Sequence, residues 1–334
     1  MTKRALATLA VLGVAWTLPA QAAPAELKMA LWGPPQAYLN AKVLVPWAKR
    51  VSAASGGTIS IRVYSNTLGN PRTVYGNIKN GVADLGWVIQ PAVRGKFKRT
   101  SVVELPFLFE KAEAGSVAAW RLYAKGLTAA EYNDVKPLAI VTFPPAQIHA
   151  NFAIRTLADL KGKKVRIGGR NAGFAAKLLG AAPIYVAVAD IYTSLGKGVI
   201  GGAMIDWGGV RAFRLQEVTK FHMDAPLSGI AGMVAMNNAT WKRLPAQAKA
   251  AFKKHAGEAL SRLIGSAADA EGQRVRDLVR KMPGHTIVKL DGAERTRWMK
   301  AVTPVAHVWA KKTPNGAAIL KAMRAEIAAV RAGK

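Results

Sequence analysis

Apolar and polar positions alternate in short blocks along the first third of the chain. Period-two alternation, the pattern of a half-buried strand, marks Ile59–Tyr64, and the segments Glu26–Trp32 and Asp84–Ile89 are also predicted as strands. Apolar residues at helical spacing fill the segment from Ala37 to Ser52, and a shorter helix is indicated from Thr73 to Lys79. A strand–helix–strand–helix–strand order is typical of a parallel α/β sheet, so we expect the chain to begin with one.

The α/β pattern continues through the remaining two thirds of the chain. Predicted strands cover Leu138–Thr142, Lys163–Ile167, Ala182–Val188, Gly198–Met204, Gly229–Asn237 and His285–Leu290. Predicted helices cover Asn171–Leu179, Ile191–Lys197, the long amphipathic segment Ala246–Met282 and two segments near the C-terminus. We find no internal repeat and no low-complexity linker in this pattern.

The first 22 residues have the pattern of a secretory signal peptide. Lys3 and Arg4 form a basic start, Ala5 to Leu18 is apolar, and the segment 20–22 offers small residues for cleavage. An uncleaved membrane anchor is the alternative, but the apolar run is short for a membrane span and no stop-transfer pattern follows. We therefore expect a soluble, exported protein in the periplasm.

Composition limits the chemistry that this chain can perform. Its 334 residues contain no cysteine, which excludes disulfides, a thiol nucleophile and thiolate metal sites. The five histidines lack metal-ligand spacing, and no nucleophile elbow, phosphate-binding loop or dinucleotide-binding glycine pattern follows a strand. We expect no catalytic residues, no metal and no cofactor, although an exported enzyme with an unusual site remains an alternative.

The formal net charge of +29 raises nucleic acid and anionic small molecules as partners. The basic residues are scattered along the chain, however, and no nucleic-acid-binding fingerprint is present. We interpret the charge as a general positive field that attracts an anion, and we expect no nucleic-acid partner.

One stretch, from Arg155 to Gly169 (RTLADLKGKKVRIGG), suggests an anion site. Asp159 is expected to cap a short turn, and Arg166 lies near the end of the strand that stops at the glycine pair Gly168-Gly169. Glycines there permit close approach of a ligand, and strand ends are where open α/β sheets bind ligands. An arginine in that position offers two parallel donors to a carboxylate. The alternative is a surface arginine on an edge strand.

This stretch also carries a family resemblance. D-L-K-G-K-K-V-R resembles the motif at the start of the second lobe in solute-binding proteins of TRAP (tripartite ATP-independent periplasmic) transporters. Other segments resemble the family in the same order, among them W-G-P-P, S-G-G-T-I-S-I-R-V-Y, I-K-N-G-V-A-D-L-G and V-V-E-L-P-F-L-F. The resemblance covers nearly all of the chain after the signal peptide.

The resemblance implies a two-lobed periplasmic-binding-protein (Venus-flytrap) fold of the α/β class. Each lobe is expected to be a mixed sheet flanked by helices, joined by hinge strands and a long crossing helix, with such a helix around Ala114–Gly126. Leu215–Met223 resembles the strand that returns toward the first lobe. Expected boundaries are 23–146 for lobe I with the return segment 227–282, 147–226 for lobe II with part of the C-terminal region, and 283–334 for C-terminal helices.

The resemblance also assigns site residues. Arg166 occupies the position of the family's arginine that pairs with the ligand carboxylate. The segment 205–209 replaces a loop that usually reads P-W-E, so Trp207 is expected over the ligand, and Asp206 binds a ligand hydroxyl or pairs with Arg211. The strand-end residues Trp32 and Trp87, together with Phe174, are expected to shape the rest, with ordinary core packing as the alternative for the two tryptophans.

A second arginine of the family is not evident in the segment QIHANFAIRTL. His149 or Gln147 takes over that contact, or the contact is missing; a lone histidine is more often structural. The missing arginine and the tryptophans favour a monocarboxylate with an aromatic or apolar body over a dicarboxylate or sialic acid.

The expected function is therefore capture of a small organic acid by hinge closure. As the resemblance implies, the closed protein delivers the acid to the small and large membrane subunits of a TRAP transporter, driven by an ion gradient. A binding protein that serves a membrane sensor or an ATP-driven importer is the alternative with the same fold.

Overall fold

A computed structural model describes residues 24–334 of the chain. The predicted signal peptide, residues 1–22, lies outside the described residues. No helix within residues 24–334 is long and apolar enough to cross a membrane.

The described residues form alternating strands and helices, as the sequence pattern predicts. The strands are β1 (Ala25–Leu31), β2 (Ile59–Ser65), β3 (Leu85–Ile89), β4 (Val135–Thr142), β5 (Ala146–Ala150), β6 (Lys164–Ile167), β7 (Ala182–Tyr185), β8 (Gly202–Ile205), β9 (Phe221–Ser228), β10 (Ala231–Asn237) and β11 (Thr286–Lys289). The α-helices are α1 (Val45–Ala54), α2 (Val74–Lys79), α3 (Ala112–Ala124), α4 (Arg170–Leu178), α5 (Ile191–Gly196), α6 (Trp207–Ala212), α7 (Asn238–Arg243), α8 (Ala246–His255), α9 (Glu258–Arg280), α10 (Gly292–Lys312) and α11 (Gly316–Arg331).

The strands assemble into two mixed sheets. The first sheet has the order β2-β1-β3-β10-β4, with β1 parallel to β2 and β3, and β10 antiparallel to β3 and β4. The second sheet has the order β11-β9-β5-β8-β6-β7, with β6 parallel to both β7 and β8. In each sheet the parallel strands end at the same edge, which is where an α/β sheet offers space for a ligand.

Two adjacent chain crossings connect the sheets. The segment between β4 and β5 leaves the first sheet, and the segment between β9 and β10 returns to it. The two crossings are hydrogen-bonded to each other, because the Phe143 N–H donates to the Ile230 carbonyl at 3.1 Å. Short paired crossings of this kind are the geometry of a hinge between two lobes.

Helix α9 bridges the two lobes on one side of the hinge. It packs against α3 and β4 of the first lobe and against α6 of the second. The C-terminal helices form a further connection, since α10 packs against α4 and α11 packs against α3. Helix α3 packs against β4, α9 and α11, so the crossing helix expected around Ala114–Gly126 is instead α9.

Three further local predictions differ from the structure. The segment predicted as one helix, 246–282, breaks at Gly257, which has a left-handed φ of +67° and donates its N–H to the Leu138 carbonyl. Strand β5 was not predicted although its residues AQIHA alternate apolar and polar, since the segment is short, directly follows Pro144-Pro145, and buries both of its polar side chains. The predicted strand 215–223 begins only at Phe221, after a 3₁₀ turn.

The close packing of α3 on α9 generates a testable prediction. A methyl group added at Gly265 would lie 2.7 Å from Glu113 Cα and 2.8 Å from the Ala112 carbonyl oxygen, so the helices would have to separate. We expect Gly265→Ala to lower the free energy of unfolding by about 1–3 kcal/mol, as overpacking does. Urea denaturation of the purified protein measures this change.

Gly272→Ala is the matched control in the same helix. Its added methyl group would meet nothing closer than Pro144 Cγ at 3.8 Å, so the higher helix propensity of alanine should raise stability by up to about 1 kcal/mol. Equal stability of the two variants would contradict the close approach of α3 and α9.

Candidate functional site

A cavity of about 410 Å³ lies between the two sheets, where their parallel strands end. The first lobe contributes mainly apolar side chains to its wall together with the exposed Arg72, and the second lobe contributes the buried charged ones, Arg166 and Asp206. The lining residues that bear on ligand binding are Trp32, Tyr38, Trp87, Phe143, Arg166, Gly168, Asp206, Gly208 and Ile230. This cavity therefore combines an aromatic wall with a buried arginine, the two features expected of a site for an apolar acid.

Arg166 is held inside the second lobe, with 5% of its surface exposed. Its strand β6 lies between β7 and β8, so the alternative of an edge-strand surface arginine is wrong. Nε donates to the Val186 carbonyl at 2.9 Å and Nη1 donates to the Met204 carbonyl at 3.1 Å. These bonds fix the guanidinium plane and leave the Nη1–Nη2 edge with N–H groups for a ligand.

No acidic side chain within residues 24–334 forms an ion pair with Arg166. Burial lowers the pKa of its guanidinium to about 10, so the group is positively charged at neutral pH. A buried charge without a counter-ion is costly. An anionic ligand at this edge would therefore offset the free-energy cost of the buried charge, which the protein without a ligand does not offset.

Gly168 leaves room for the Arg166 guanidinium, because it has no side chain. A Cβ at this position would lie 3.2 Å from Nη1 and 3.4 Å from Nη2 of Arg166. Gly168 is expected to permit close approach of a ligand. In the structure, the group that lies close to it is the Arg166 guanidinium.

Trp32 and Trp87 form one aromatic wall of the cavity in the first lobe. The indole Nε1 of Trp32 donates to the Trp87 carbonyl at 3.0 Å, which fixes the Trp32 ring. The ring of Trp87 meets the ring of Phe143 edge-on, with centroids 5.7 Å apart. Both tryptophans line the cavity and both also pack against the core of the first lobe, so the two interpretations of these residues are not exclusive.

Asp206 lies at the opposite lobe's strand end, directly after β8. The predicted loop 205–209 is wrong, because Asp206 instead caps a short helix, α6, by accepting the Gly209 N–H at 3.1 Å. Only 7% of Asp206 is exposed, and burial raises the pKa of its carboxyl to about 6. The expected pairing with Arg211 is absent among the ion pairs of residues 24–334.

The side chains of Trp207 and His149 do not line the cavity. Trp207 points into the second lobe, where its ring centroid lies 4.6 Å from that of His149 and 5.1 Å from that of His222. The residue belongs to a helix rather than to a loop, and the first turn of that helix directs the ring inward. Their proposed ligand contacts therefore find no support in this geometry.

His149 begins a chain of three histidines that runs to the protein surface. Its Nδ1 lies 2.8 Å from His222 Nδ1, His222 Nε2 lies 3.0 Å from His285 Nδ1, and His285 Nε2 lies 3.1 Å from Lys220 Nζ. A lysine ammonium only donates, so each ring in turn accepts on one nitrogen and donates from the other. The last donor, His149 Nε2, then meets the Ile205 carbonyl at 3.1 Å.

This histidine chain lies behind the cavity wall of the second lobe and helps to fix its backbone. Burial lowers the pKa of His149 to about 3 and that of His222 to about 2, so both rings are neutral at neutral pH. The hydrogen bond to Ile205 fixes the backbone next to Asp206. His149 is therefore structural in this geometry, as lone histidines usually are.

Gln147 and Phe174 also lie off the wall of the cavity. Gln147 is buried, and its Oε1 has no hydrogen-bond partner among the described residues. Phe174 instead lines a second cavity, of about 670 Å³, together with Glu104, Arg170 and Trp309. The two cavities lie on either side of the hinge, since Gly168 and Ile230 line the first while Gly169 and Ala231 line the second.

Several residues of this region were not predicted. Tyr38 lines the first cavity several residues beyond the end of β1, and Phe143 lines it directly after β4. The strand-end rule would have found Phe143. Tyr38 follows a loop and precedes a π-helical turn (Leu39–Leu44), so no periodic signal marks it.

Glu104 joins the lobes beside the hinge. It accepts the Asn171 Nδ2–H at 3.3 Å, and its Oε2 lies 3.3 Å from the Cβ position of Gly169, at the start of α4. Burial raises the pKa of its carboxyl to about 8. A first-lobe carboxyl thus sits against the first turn of a second-lobe helix, and this contact is broken if the lobes separate.

Comparisons with known proteins match most of the described chain. Residues 33–313 match the sequence model of the family described as bacterial extracellular solute-binding protein, family 7. A curated relative, the outer membrane transporter protein TsaT of Comamonas testosteroni, is 25% identical over 310 residues, which cover 89% of this chain and 90% of the relative.

Two crystal structures resemble the chain closely. A TRAP solute-binding protein from a marine metagenome, specific for aromatic acid ligands and in complex with 3-hydroxybenzoate, has a TM-score of 0.86 at 30% identity and covers 91% of this chain and 98% of its own. A TRAP solute-binding protein of Rhodoferax ferrireducens, in complex with copurified benzoate, has a TM-score of 0.87 at 28% identity, with coverages of 92% and 99%.

Glu104 generates a prediction about pH. Its carboxyl is protonated more readily in the folded protein than in the unfolded chain, so the stability it contributes is present below about pH 4.5 and is lost as pH rises toward about 8. Glu104→Gln keeps an acceptor for Asn171 and removes this titration. We expect the variant to gain stability relative to the natural protein as pH rises from 5 to 8.5, by on the order of a few kcal/mol.

Chemical denaturation at a series of pH values measures the effect. Glu26→Gln, at an exposed ion pair with Arg62, is the control and should show no comparable gain. A difference between Glu104→Gln and the natural protein that stays constant from pH 5 to 8.5 would contradict the assignment.

Proposed function

Because the chain belongs to family 7 of the bacterial extracellular solute-binding proteins, and thus binds a carboxylate for a TRAP transporter, we propose that it captures an aromatic monocarboxylic acid in the first cavity. The observation that carries this proposal is Arg166, a buried, charged and unpaired guanidinium at one side of a cavity with aromatic walls. The resemblance to two solute-binding proteins that hold benzoate and 3-hydroxybenzoate supports the same class of ligand.

The carboxylate binds at the free edge of the Arg166 guanidinium. Two parallel charge-assisted hydrogen bonds from this edge match the spacing of the two carboxylate oxygens. The carbonyls of Val186 and Met204 hold the guanidinium in place before the ligand arrives, so little side-chain entropy is lost on binding.

The aromatic body of the acid packs on the first lobe. That side of the cavity is lined by Trp32, Trp87 and Phe143. The indole N–H of Trp32 donates a hydrogen bond to the Trp87 carbonyl, which holds these two residues together. Flat apolar rings bury well against such walls. Within residues 24–334, the other cation on the wall of this cavity, Arg72, is exposed to solvent, so a second carboxylate would not meet a buried charge like that of Arg166, which favours a monocarboxylate over a dicarboxylate.

Capture and delivery then follow from the two-lobed fold. A ligand that touches Arg166 in one lobe and Trp87 in the other stabilises the arrangement in which the lobes are close. We infer that this closed form docks on the small and large membrane subunits of the transporter, and that the acid is released there unchanged rather than converted.

We also infer that residues 1–22 direct export to the periplasm and are removed. Mass spectrometry of the protein recovered from the periplasm should then give a chain that begins at Ala23. Recovery of the full-length chain would instead support the uncleaved anchor.

The principal test is replacement of Arg166. Arg166→Ala should weaken the binding of an aromatic acid such as benzoate by about 2–5 kcal/mol, because one partner of a buried charge pair is lost. Arg166→Lys keeps the charge but not the planar pair of donors and should bind with intermediate affinity. Isothermal titration calorimetry on the exported form of the protein measures both.

Arg211→Ala is the matched control. Arg211 is an exposed arginine of the same lobe that lies off the cavity wall, so its removal lowers the net charge by one without touching the site. A thermal-shift panel of benzoate, succinate and glucuronate defines the ligand class, since a ligand of the native state raises its melting temperature. Equal binding by Arg166→Ala and the natural protein would exclude Arg166 as the carboxylate site.

A further inference from the structure

The cavity contains a second buried charge that the carboxylate contact does not use. Asp206 is 7% exposed and lines the cavity wall. Within residues 24–334 it forms no ion pair, and the donors around it are backbone N–H groups of the first turn of α6, with that of Gly209 at 3.1 Å. A carboxylate in this state lacks a side-chain donor, and a donor on the ligand would supply one.

A buried hydroxyl lies beside this carboxylate. The hydroxyl of Tyr38 has no hydrogen-bond partner among the described residues, although buried hydroxyls are normally bonded. Asp206 Oδ2 and Tyr38 Cε1 lie 2.9 Å and 3.4 Å from the same point, the Cβ position of Gly208, so the two side chains are neighbours. Burial, followed by the negative charge of Asp206, raises the pKa of Tyr38, so its hydroxyl stays protonated.

The other acidic side chains near Tyr38 already have partners in the protein. Asp269 accepts the backbone N–H groups of Ala112 and Glu113 at 2.7 and 3.0 Å. Glu271 pairs with Arg274 at 2.6 Å. Neither Asp269 nor Glu271 lines the cavity, whereas Asp206 and Tyr38 both do, so these two are the residues of the group that can meet a ligand.

We propose that Asp206 and Tyr38 form a subsite for a hydroxyl group on the bound acid, so that the protein prefers hydroxy-substituted aromatic monocarboxylates. The proposal rests on the proposed function, in which Arg166 binds the carboxylate. A hydroxyl donates its proton to Asp206 and accepts the proton of Tyr38, which satisfies both groups at once. An ammonium only donates, so it does not complete the same pair of bonds.

The positions of Arg166 and Asp206 are compatible with one aromatic ring of a ligand bound between their side chains. Arg166 pairs with Ala203 of the neighbouring strand β8, and Asp206 follows three residues later. Three residues advance roughly 10 Å along a strand, and the Arg166 side chain spans part of that distance, because its Nη1 donates to the Met204 carbonyl of β8. The guanidinium and the Asp206 carboxyl thus line the same cavity near the end of β8 without forming an ion pair with each other, so one ligand can contact both.

The experiment compares affinities for matched acids by isothermal titration calorimetry. The ligands are benzoate, 3-hydroxybenzoate, 4-hydroxybenzoate and 3-(aminomethyl)benzoate. We expect the better of the two hydroxybenzoates to bind roughly 10- to 100-fold more tightly than benzoate, as loss of a hydrogen bond to a buried charged group predicts. In Asp206→Asn and in Tyr38→Phe this ratio should fall toward one.

The ratio, rather than the affinity itself, is the readout, because it is insensitive to a general loss of binding. Asp277→Asn, an acid-to-amide change at an exposed position of α9 outside the cavity, should keep the ratio of the natural protein. Tyr38→Phe carries the test alone if Asp206→Asn does not fold, since asparagine must also replace the cap of α6.

Three results would overturn the subsite. Equal affinity of the natural protein for benzoate and both hydroxybenzoates would exclude the hydroxyl subsite but would remain compatible with carboxylate binding at Arg166. An unchanged ratio in Tyr38→Phe, or tighter binding of 3-(aminomethyl)benzoate than of either hydroxybenzoate, would also exclude it. Failure to bind any of the four acids would contradict the proposed function itself.

Discussion

The site depends on one electrostatic constraint, the positive charge of Arg166 buried without a counter-ion among residues 24–334. Two backbone carbonyls, those of Val186 and Met204, hold the guanidinium but do not neutralise it. Such an arrangement is costly in a protein interior of low polarity, and an anionic ligand at the free edge of the guanidinium would offset that cost. The glycine at 168 and the short strands β6, β7 and β8 are arranged around this one group.

The division of chemistry between the lobes follows from that constraint. Charged groups that need fixed geometry, Arg166 and Asp206, stand at parallel strand ends of the second sheet, where carbonyls and the first turn of α6 position them. The first lobe supplies Trp32 and Trp87, whose contribution is area rather than direction. The second lobe therefore orients the ligand through its charged groups, and contact with the first lobe stabilises the closed arrangement of the lobes. The affinity of the ligand is thus linked to movement at the hinge.

The sequence pattern predicted the α/β class, most strand and helix positions and the placement of Arg166 at a strand end, because these follow from periodicity and strand-end geometry, whereas the two-lobed arrangement was implied by the family resemblance. It did not predict the strand β5, a short segment directly after two prolines whose alternating polar residues, Gln147 and His149, are buried rather than exposed. It also misplaced Trp207, since the switch from loop to helix at Asp206 turns the ring away from the cavity. Side-chain direction after a strand end depends on the next few dihedral angles, and no residue pattern encodes those directly.

Tyr38 shows why a subsite is harder to find than a fold. Its neighbour Asp206 lies far away in the chain, in the other lobe, and their contact exists only because both lobes meet at Gly208, which has no side chain. Neither residue is unusual in its own segment. The pair becomes informative only when burial, the missing partner of the hydroxyl and the missing cation of the carboxylate are considered together for the described part of the chain. Specificity for a ligand hydroxyl is thus a property of the assembled cavity, whereas the carboxylate site can be recognised from a single strand.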